Sequence, residues 1–293
     1  MSHLRPERHP QLDFFVADIL DAHPRDDMGS MEHPVFALRS GDRRIVRYEH
    51  RGSKIEIQPS VKGRATQFDK DLWIYCISQM VAALDRGRQD VGPTVRFTAY
   101  DFLLTTNRGT SGRDYERMAH MLERLAGTRI QTDIATAGYR ERAGFGLVDA
   151  WRVIERDDRE RMVAVEVTLP NWLYRAAAAR EVLSLSRDYF RLRKPVDRRI
   201  YELCRKHCGA QRRWRVGLQT LYRKAGSAAP LREFRRAVRT LAESDQLPGY
   251  RLRYDGASDT LTAYARSNKG AIAQIHDTLD AGGQDYGDLF GGR

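Results

Sequence analysis

Apolar positions fall at helical spacing in several stretches of the chain. Between Ser227 and Ser244 (SAAPLREFRRAVRTLAES), Leu231, Phe234, Val238 and Leu241 recur at i, i+3, i+7 and i+10. At about 100° per residue they share one stripe. A serine and a proline precede the stretch, and neither glycine nor proline interrupts it, so the spacing predicts a helix. Tyr115, Met118, Leu122 and Leu125 repeat that spacing. Two further helices open alike, DLWIYCI (Asp71–Ile77) and DRRIYEL (Asp197–Leu203), both Asp-x-x-Ile-Tyr-x-apolar. VRFTAYDFLL (Val95–Leu104) and WRVGLQTLYR (Trp214–Arg223) each read as a short β-rich piece that contains arginine and runs into a helix.

Strand material follows in both halves. Arg129–Ala135, Phe145–Ile154 and Met162–Thr168 carry alternating or β-branched residues, with a DDRE turn at Asp157–Glu160. Tyr250–Tyr254 and Thr260–Tyr264 flank Asp255–Gly256 as a short hairpin. The same order, helix, strand, helix, helix, hairpin, thus occurs twice, and it is that of a winged helix. The expected fold is α+β, with two tandem winged-helix domains at 41–180 and 181–265. The second is the expected main DNA reader. An acidic arm at 1–40 precedes them and a flexible tail at 266–293 follows, where glycine and polar residues dominate. Ile45–Glu49 and Lys54–Gln58 read as a hairpin about Arg51–Gly52, and Asn171–Arg180 as a short helix between the domains.

Charge sharpens this picture. The net charge is +11, yet Asp188–Tyr254 holds 18 Lys and Arg against 6 Asp and Glu, leaving 32 basic and 33 acidic residues elsewhere. All the excess lies in one block, whose natural partner is a polyanion. No apolar run approaches the ~18 residues of a membrane span, and the first thirty residues lack the apolar stretch of a signal peptide. Three cysteines, Cys76, Cys204 and Cys208, do not make a disulfide framework. A cytoplasmic protein is expected.

Arg232, Arg235, Arg236 and Arg239 crowd the side of the late helix opposite its apolar stripe. In a helix-turn-helix the third helix packs one face on its neighbours and offers the other to base edges. Arginine suits that task because its planar fork pairs with guanine O6 and N7 together. Phosphate contacts are expected from Arg213, Arg215, Arg223, Lys224 and Ser227 around it, and from Arg251 and Arg253 on the wing. In the first module Arg113, Arg117 and Arg124 are offset by Asp114, Glu116 and Glu123. That face suits packing or a secondary DNA contact.

No catalytic, metal or cofactor site is expected. CRKHC (Cys204–Cys208) has three potential zinc ligands, whereas a structural site normally takes four. Cys204 and His207 also fall on the side of Ile200 and Leu203, which favours core packing. Asp13–Glu32 has six acidic residues without metal-ligand spacing, and reads as a structured arm on the molecule or a partner surface. There is no G-x-x-x-x-G-K-[ST] phosphate loop. His-x-His, which a nicking replication enzyme would need, is also absent.

HPQLDFFVADILDAHPRDDMGSMEHPVFAL, YEHRGSKIEIQPSVKGRATQFDKDLWIYCISQ, FGLVDAWRV, EVTLPNWL and FRLRKPVDRRIYELCRKHCG resemble the plasmid replication initiator protein A family, over roughly His9 to Ala242. The wider group of iteron-binding initiators is built from tandem winged helices. The resemblance implies a protein that binds direct repeats at a plasmid origin, helps open the duplex and recruits host replication proteins, among them the initiator and a helicase or its loader. It also implies repression of the protein's own promoter by a dimer in equilibrium with monomer. Its DNA contacts carry over to Arg232, Arg235, Arg236 and Arg239. A winged-helix transcriptional repressor without a replication role is the alternative. YGDLF (Tyr286–Phe290) resembles a sliding-clamp-binding motif in which Leu289 and Phe290 would anchor, although Tyr286 stands where the motif usually has glutamine.

Overall fold

The structure is a computed structural model that describes residues 14–50, 53–136, 139–156, 161–209 and 211–287. Chain order begins with β1 (Phe15–Val16), β2 (Arg25–Asp27), α1 (Met28–Glu32), β3 (Val46–His50), β4 (Ser53–Gln58) and α2 (Asp71–Asp85). There follow β5 (Thr94–Phe97), α3 (Ala99–Thr105), α4 (Gly112–Gly127), β6 (Arg129–Thr136), β7 (Tyr139–Gly146), β8 (Ala150–Arg156), β9 (Arg161–Thr168) and α5 (Asn171–Ala178). The last third holds β10 (Val182–Ser184), a 3-10 turn at Arg187–Arg191, α6 (Pro195–Cys208), β11 (Arg213–Gly217), α7 (Leu218–Ala225) and α8 (Leu231–Ser244). It closes with β12 (Tyr250–Asp255), β13 (Thr260–Ala265) and α9 (Asn268–Gly287). The elements fall into two compact units, each drawn from separate stretches: Met1–Asp27, Gly41–Ala65 and Asp71–Val182, then Met28–Ser40, Thr66–Lys70 and Leu183–Arg293.

In the first unit α2 is the core. Its sequence is apolar on nearly every side, and Leu72 through Met80 are all buried. Tyr75, Phe97 and Phe102 meet edge-on or tilted at 5.2–6.0 Å between ring centroids, the arrangement aromatic quadrupoles favour. One sheet has the order β1-β5-β9-β8 and the other β3-β4-β6-β7. The hairpin of Ile45–Glu49 and Lys54–Gln58 forms as β3 and β4, with Val46 opposite Ile57. Its turn at Arg51–Gly52, and the turn at Asp157–Glu160, lie outside the described residues.

Phe145–Ile154 is not one strand, as its alternation suggested. β7 ends at Gly146 and β8 begins at Ala150. Leu147 and Val148 are buried in the bend, and the Leu147 carbonyl accepts the Trp73 indole N–H at 2.7 Å. A Cβ at Gly146 would lie 2.7 Å from the Val148 oxygen, so the bend needs glycine there. Buried apolar residues look alike in a bend and in a strand, so periodicity missed it.

The acidic arm is built into the fold. Phe15–Val16 pairs in parallel with β5, and the Gln79 side chain grips the Ile19 backbone by both its oxygen (3.0 Å) and its amide (2.8 Å). Asp18 pairs with Arg88 and Asp21 with Arg86, both at 2.6 Å.

In the second unit α6, α7 and α8 pack on the sheet β11-β13-β12. Here the strand after the first helix is flanked by the last strand of the hairpin, as β5 is flanked by β9 in the first unit. The two plans differ by β6 and β7, inserted between α4 and β8. A buried polar network ties α6 to segments from earlier in the chain. The Glu202 carboxylate meets Lys70 Nζ at 3.0 Å and accepts the Tyr189 hydroxyl at 2.7 Å, and the Gln67 amide donates to it as well. Arg199 donates to the carbonyls of Ser30, Met31, Glu32 and Lys224 at 2.8–3.2 Å. Arg198 lies over Phe68 at 4.5 Å and Tyr189 at 5.1 Å. Two arginines of the basic block are thus interior scaffolding.

The tail expected to be flexible instead holds α9. Its Ala273 is buried, and the Tyr264 hydroxyl donates to Asp277 at 2.7 Å. Glycine and polar composition concealed it because what holds the helix is the neighbouring strand rather than its own propensity.

Candidate nucleic-acid interface

α8 buries Phe234, Val238 and Leu241 and half-buries Leu231, so its apolar stripe forms as the spacing predicts. Arg232, Arg236 and Arg239 are exposed on the opposite side, within about 60° of one another by helical geometry. Arg232 and Arg236 have no ion-pair partner among the described residues. Arg239 stacks its guanidinium over the Tyr254 ring at 5.4 Å, which orients it without spending its charge.

Arg235 is placed differently. Its fork is bidentate on Asp259, Nε to Oδ1 at 3.0 Å and Nη2 to Oδ2 at 2.9 Å, and the Tyr254 hydroxyl donates to the same carboxylate at 2.5 Å. The guanidinium, and after it the Tyr254 hydroxyl, holds the Asp259 carboxyl below its usual range. Asp259 itself sits at φ 49°, a left-handed position tolerated by aspartate. Arg235 therefore pins the hairpin to the helix. Asp259 and Tyr254 are supports of the α8 arginines that charge counting does not reveal; the signal is a carboxylate in the turn between two strands.

The helix turn before α8 is tightly made. α7 ends on Gly226 at φ 67°, where a Cβ would fall 2.5 Å from Pro34 Cβ. Ser227 is engaged locally, its hydroxyl accepting from Ala229 N at 3.2 Å. Arg223 and Arg215 are exposed near this turn and on β11. Lys224 pairs with Glu32, which also lies 3.1 Å from Lys206 and 3.3 Å from His207. His207, then Lys224 and Lys206, keep the Glu32 carboxyl far below the usual carboxylate range despite its partial burial. An arm carboxylate thus gathers two lysines and a histidine of the basic block.

The strand arginines are also engaged. Arg213 pairs with Asp277, Arg251 lies 3.6 Å from Asp245, and Arg253 donates to the Asp277 carbonyl at 3.5 Å. The expected contacts thus split into exposed cations on α8, Arg223 and Arg215, and cations already answered by the chain. Leu289 and Phe290 lie outside the described residues.

In the first unit α4 is closed by a capping box between Ser111 and Asp114. Asp114 also pairs with Arg117 at 3.2 Å, and Glu123 with Lys62 and His120. CRKHC is split: Cys204 and Cys208 are buried, burial raising both thiols, while His207 stacks on Trp214 at 4.8 Å. No cluster of three metal-ligating side chains occurs among the described residues. No helix among them is long and apolar enough to cross a membrane.

The fold is mixed α+β and is similar to that of domains 2 and 3 of RctB. One crystal structure of those domains matches with a TM-score of 0.58 at 12% identity, over 82% of this chain and 97% of that one. A second matches with a TM-score of 0.50 at 15% identity, over 83% and 98%. Residues 25–252 match the replication initiator protein A family. A putative replication protein of Wigglesworthia glossinidia brevipalpis is 39% identical over 253 residues, 85% of this chain and 92% of the relative. The chain belongs to the replication initiator protein A family, and its role is that of a replication initiator.

Proposed function

We propose that the protein starts plasmid replication by binding tandem direct repeats in duplex DNA at the origin, with each unit acting as a winged helix. The single observation that carries this reading is α8, whose Arg232, Arg236 and Arg239 stand exposed opposite a buried apolar stripe. Bound in the major groove, such a helix reads guanines through its guanidiniums. Arg215 and Arg223 hold flanking phosphates. α4, whose charges are largely balanced, makes the lesser contact. Each unit occupies about one turn of the duplex, ~10–10.5 bp, so one chain covers about two turns of non-palindromic sequence. Binding in tandem opens the duplex and recruits host replication proteins, and dimers of the same chain repress its promoter.

Arg232→Ala with Arg236→Ala should lower affinity for origin DNA at least about tenfold at fixed salt. The thermal unfolding midpoint should not move. Unchanged affinity, or a symmetric inverted-repeat footprint, would overturn the reading. An origin plasmid that is maintained equally well without the gene would leave only promoter repression.

A further inference from the structure

α9 is turned the wrong way round for a permanent core helix. Gly270, Ala273, Gln274 and Asp277 share the side that meets the β11-β13-β12 sheet, and of these Ala273 is the buried apolar side chain. Ile272, Ile275 and Leu279 point to solvent at 50%, 59% and 66% exposure. The helix approaches closely because Gly270 has no side chain; a Cβ there would fall 2.0 Å from the Ala265 oxygen. It is thus held by proximity and polar bonds, with little apolar burial, which marks a segment that opens locally at low cost.

The face it lies against is basic, and its arginines stay exposed at the edge of the helix. The register sets Arg213, Tyr264 and Arg251 side by side, then Arg215, Thr262 and Arg253. Residues opposite one another in a ladder project to the same side, so four guanidiniums crowd one sheet face. Leu261 and Ala263 face the core instead. Asp277 answers this crowd: its carboxylate takes Arg213 and the Tyr264 hydroxyl, and its carbonyl takes Arg253. Gln274 meets Arg251 at 3.4 Å. One carboxylate among guanidiniums and a tyrosine hydroxyl occupies the place a phosphate group would take.

We propose that α9 is a displaceable cover over a second phosphate-binding face, where the DNA backbone and Asp277 compete for the same arginines. This rests on the DNA-binding reading above. With α9 in place the protein engages DNA through α8, Arg215 and Arg223; once α9 leaves, Arg213, Arg251 and Arg253 add backbone contacts, and binding gains strength without gaining sequence preference.

Hydrogen exchange on the full chain, with and without saturating random-sequence duplex at low salt, tests this directly. Amides of 268–280 should exchange at least about tenfold faster in the DNA complex. Asp277→Ala should tighten non-specific binding about three- to tenfold and steepen the logarithmic salt dependence by about one or two. Adding Arg213→Ala and Arg253→Ala should cancel that gain. Unchanged or greater protection of α9 on bound DNA overturns the cover, as does a gain that survives loss of those arginines. If Asp277→Ala unfolds, exchange on the unaltered protein still decides. Failure of the α8 reading shows separately, as an Arg232→Ala and Arg236→Ala variant that binds normally.

Discussion

At the residue scale, charge alone did not reveal which arginines are available. Arg199 and Arg232 are the same residue type in the same basic block. One donates to four backbone carbonyls in the interior, while the other stands in solvent without an ion pair among the described residues. Gly226 is a sharper case. Its left-handed φ and the nearness of Pro34 both reject a side chain, so Gly226→Ala should cost at least about 1–2 kcal/mol. Urea unfolding monitored by circular dichroism measures it. Asp42 answers to pH. Burial raises its pKa, but bonds from Arg44 and the charge of Arg64 outweigh this and lower it from 3.8 to about 2. A carboxyl with a depressed folded pKa contributes stability above the unfolded value, and that contribution disappears as pH falls through the folded one. Between pH 4 and 2, therefore, the protein should lose about 1–2 kcal/mol through this group, allowing for solvent screening. Asp42→Asn should be less stable at pH 7 and flatten that part of the acid limb in unfolding curves taken across it.

At the element scale, the helices and hairpins were legible wherever periodicity and turn chemistry agreed. α8 carries both signals, an apolar stripe and a proline-led start, and it forms where they predict. The β12–β13 hairpin followed from alternation around Asp255–Gly256. The Leu147–Asp149 bend and α9 were not legible: the first is apolar on both sides of its glycine, and the second gains its order from Tyr264, Arg213 and Ala265 on β13 and β11. Arg235 belongs at this scale because it joins two elements. Arg235→Ala should leave the unfolding midpoint almost unchanged, since the pair is open to water. Amides of Tyr250–Ala265 should nonetheless exchange faster, because Asp259 loses its bidentate partner. Equal exchange in the two proteins would show that Tyr254 alone holds the turn.

At the scale of the whole molecule, the chain is cut into units across its order. The second unit takes Met28–Ser40 and Thr66–Lys70 from the first quarter of the sequence. Without them Glu202 loses Lys70 and Gln67, and Arg199 loses the carbonyls of Ser30, Met31 and Glu32. Stranding buried charges in this way costs about 3–5 kcal/mol per broken pair. A fragment of residues 183–287 should therefore fail to fold, or unfold at far lower urea than the full chain, with far-UV circular dichroism as the readout. A fragment as stable as the intact protein would show the earlier segments to be dispensable.

The sequence by itself determined the periodic elements, their repeated order, the concentration of positive charge in one block and the family to which the chain belongs. These depend on spacing and composition, which are local and survive without coordinates. Only the tertiary structure decided which cations remain available, because an ion pair depends on partners tens or hundreds of positions away. It joined Glu32 to Lys224, Asp259 to Arg235 and Asp277 to Arg213, and so divided one basic block into buried, paired and exposed cations.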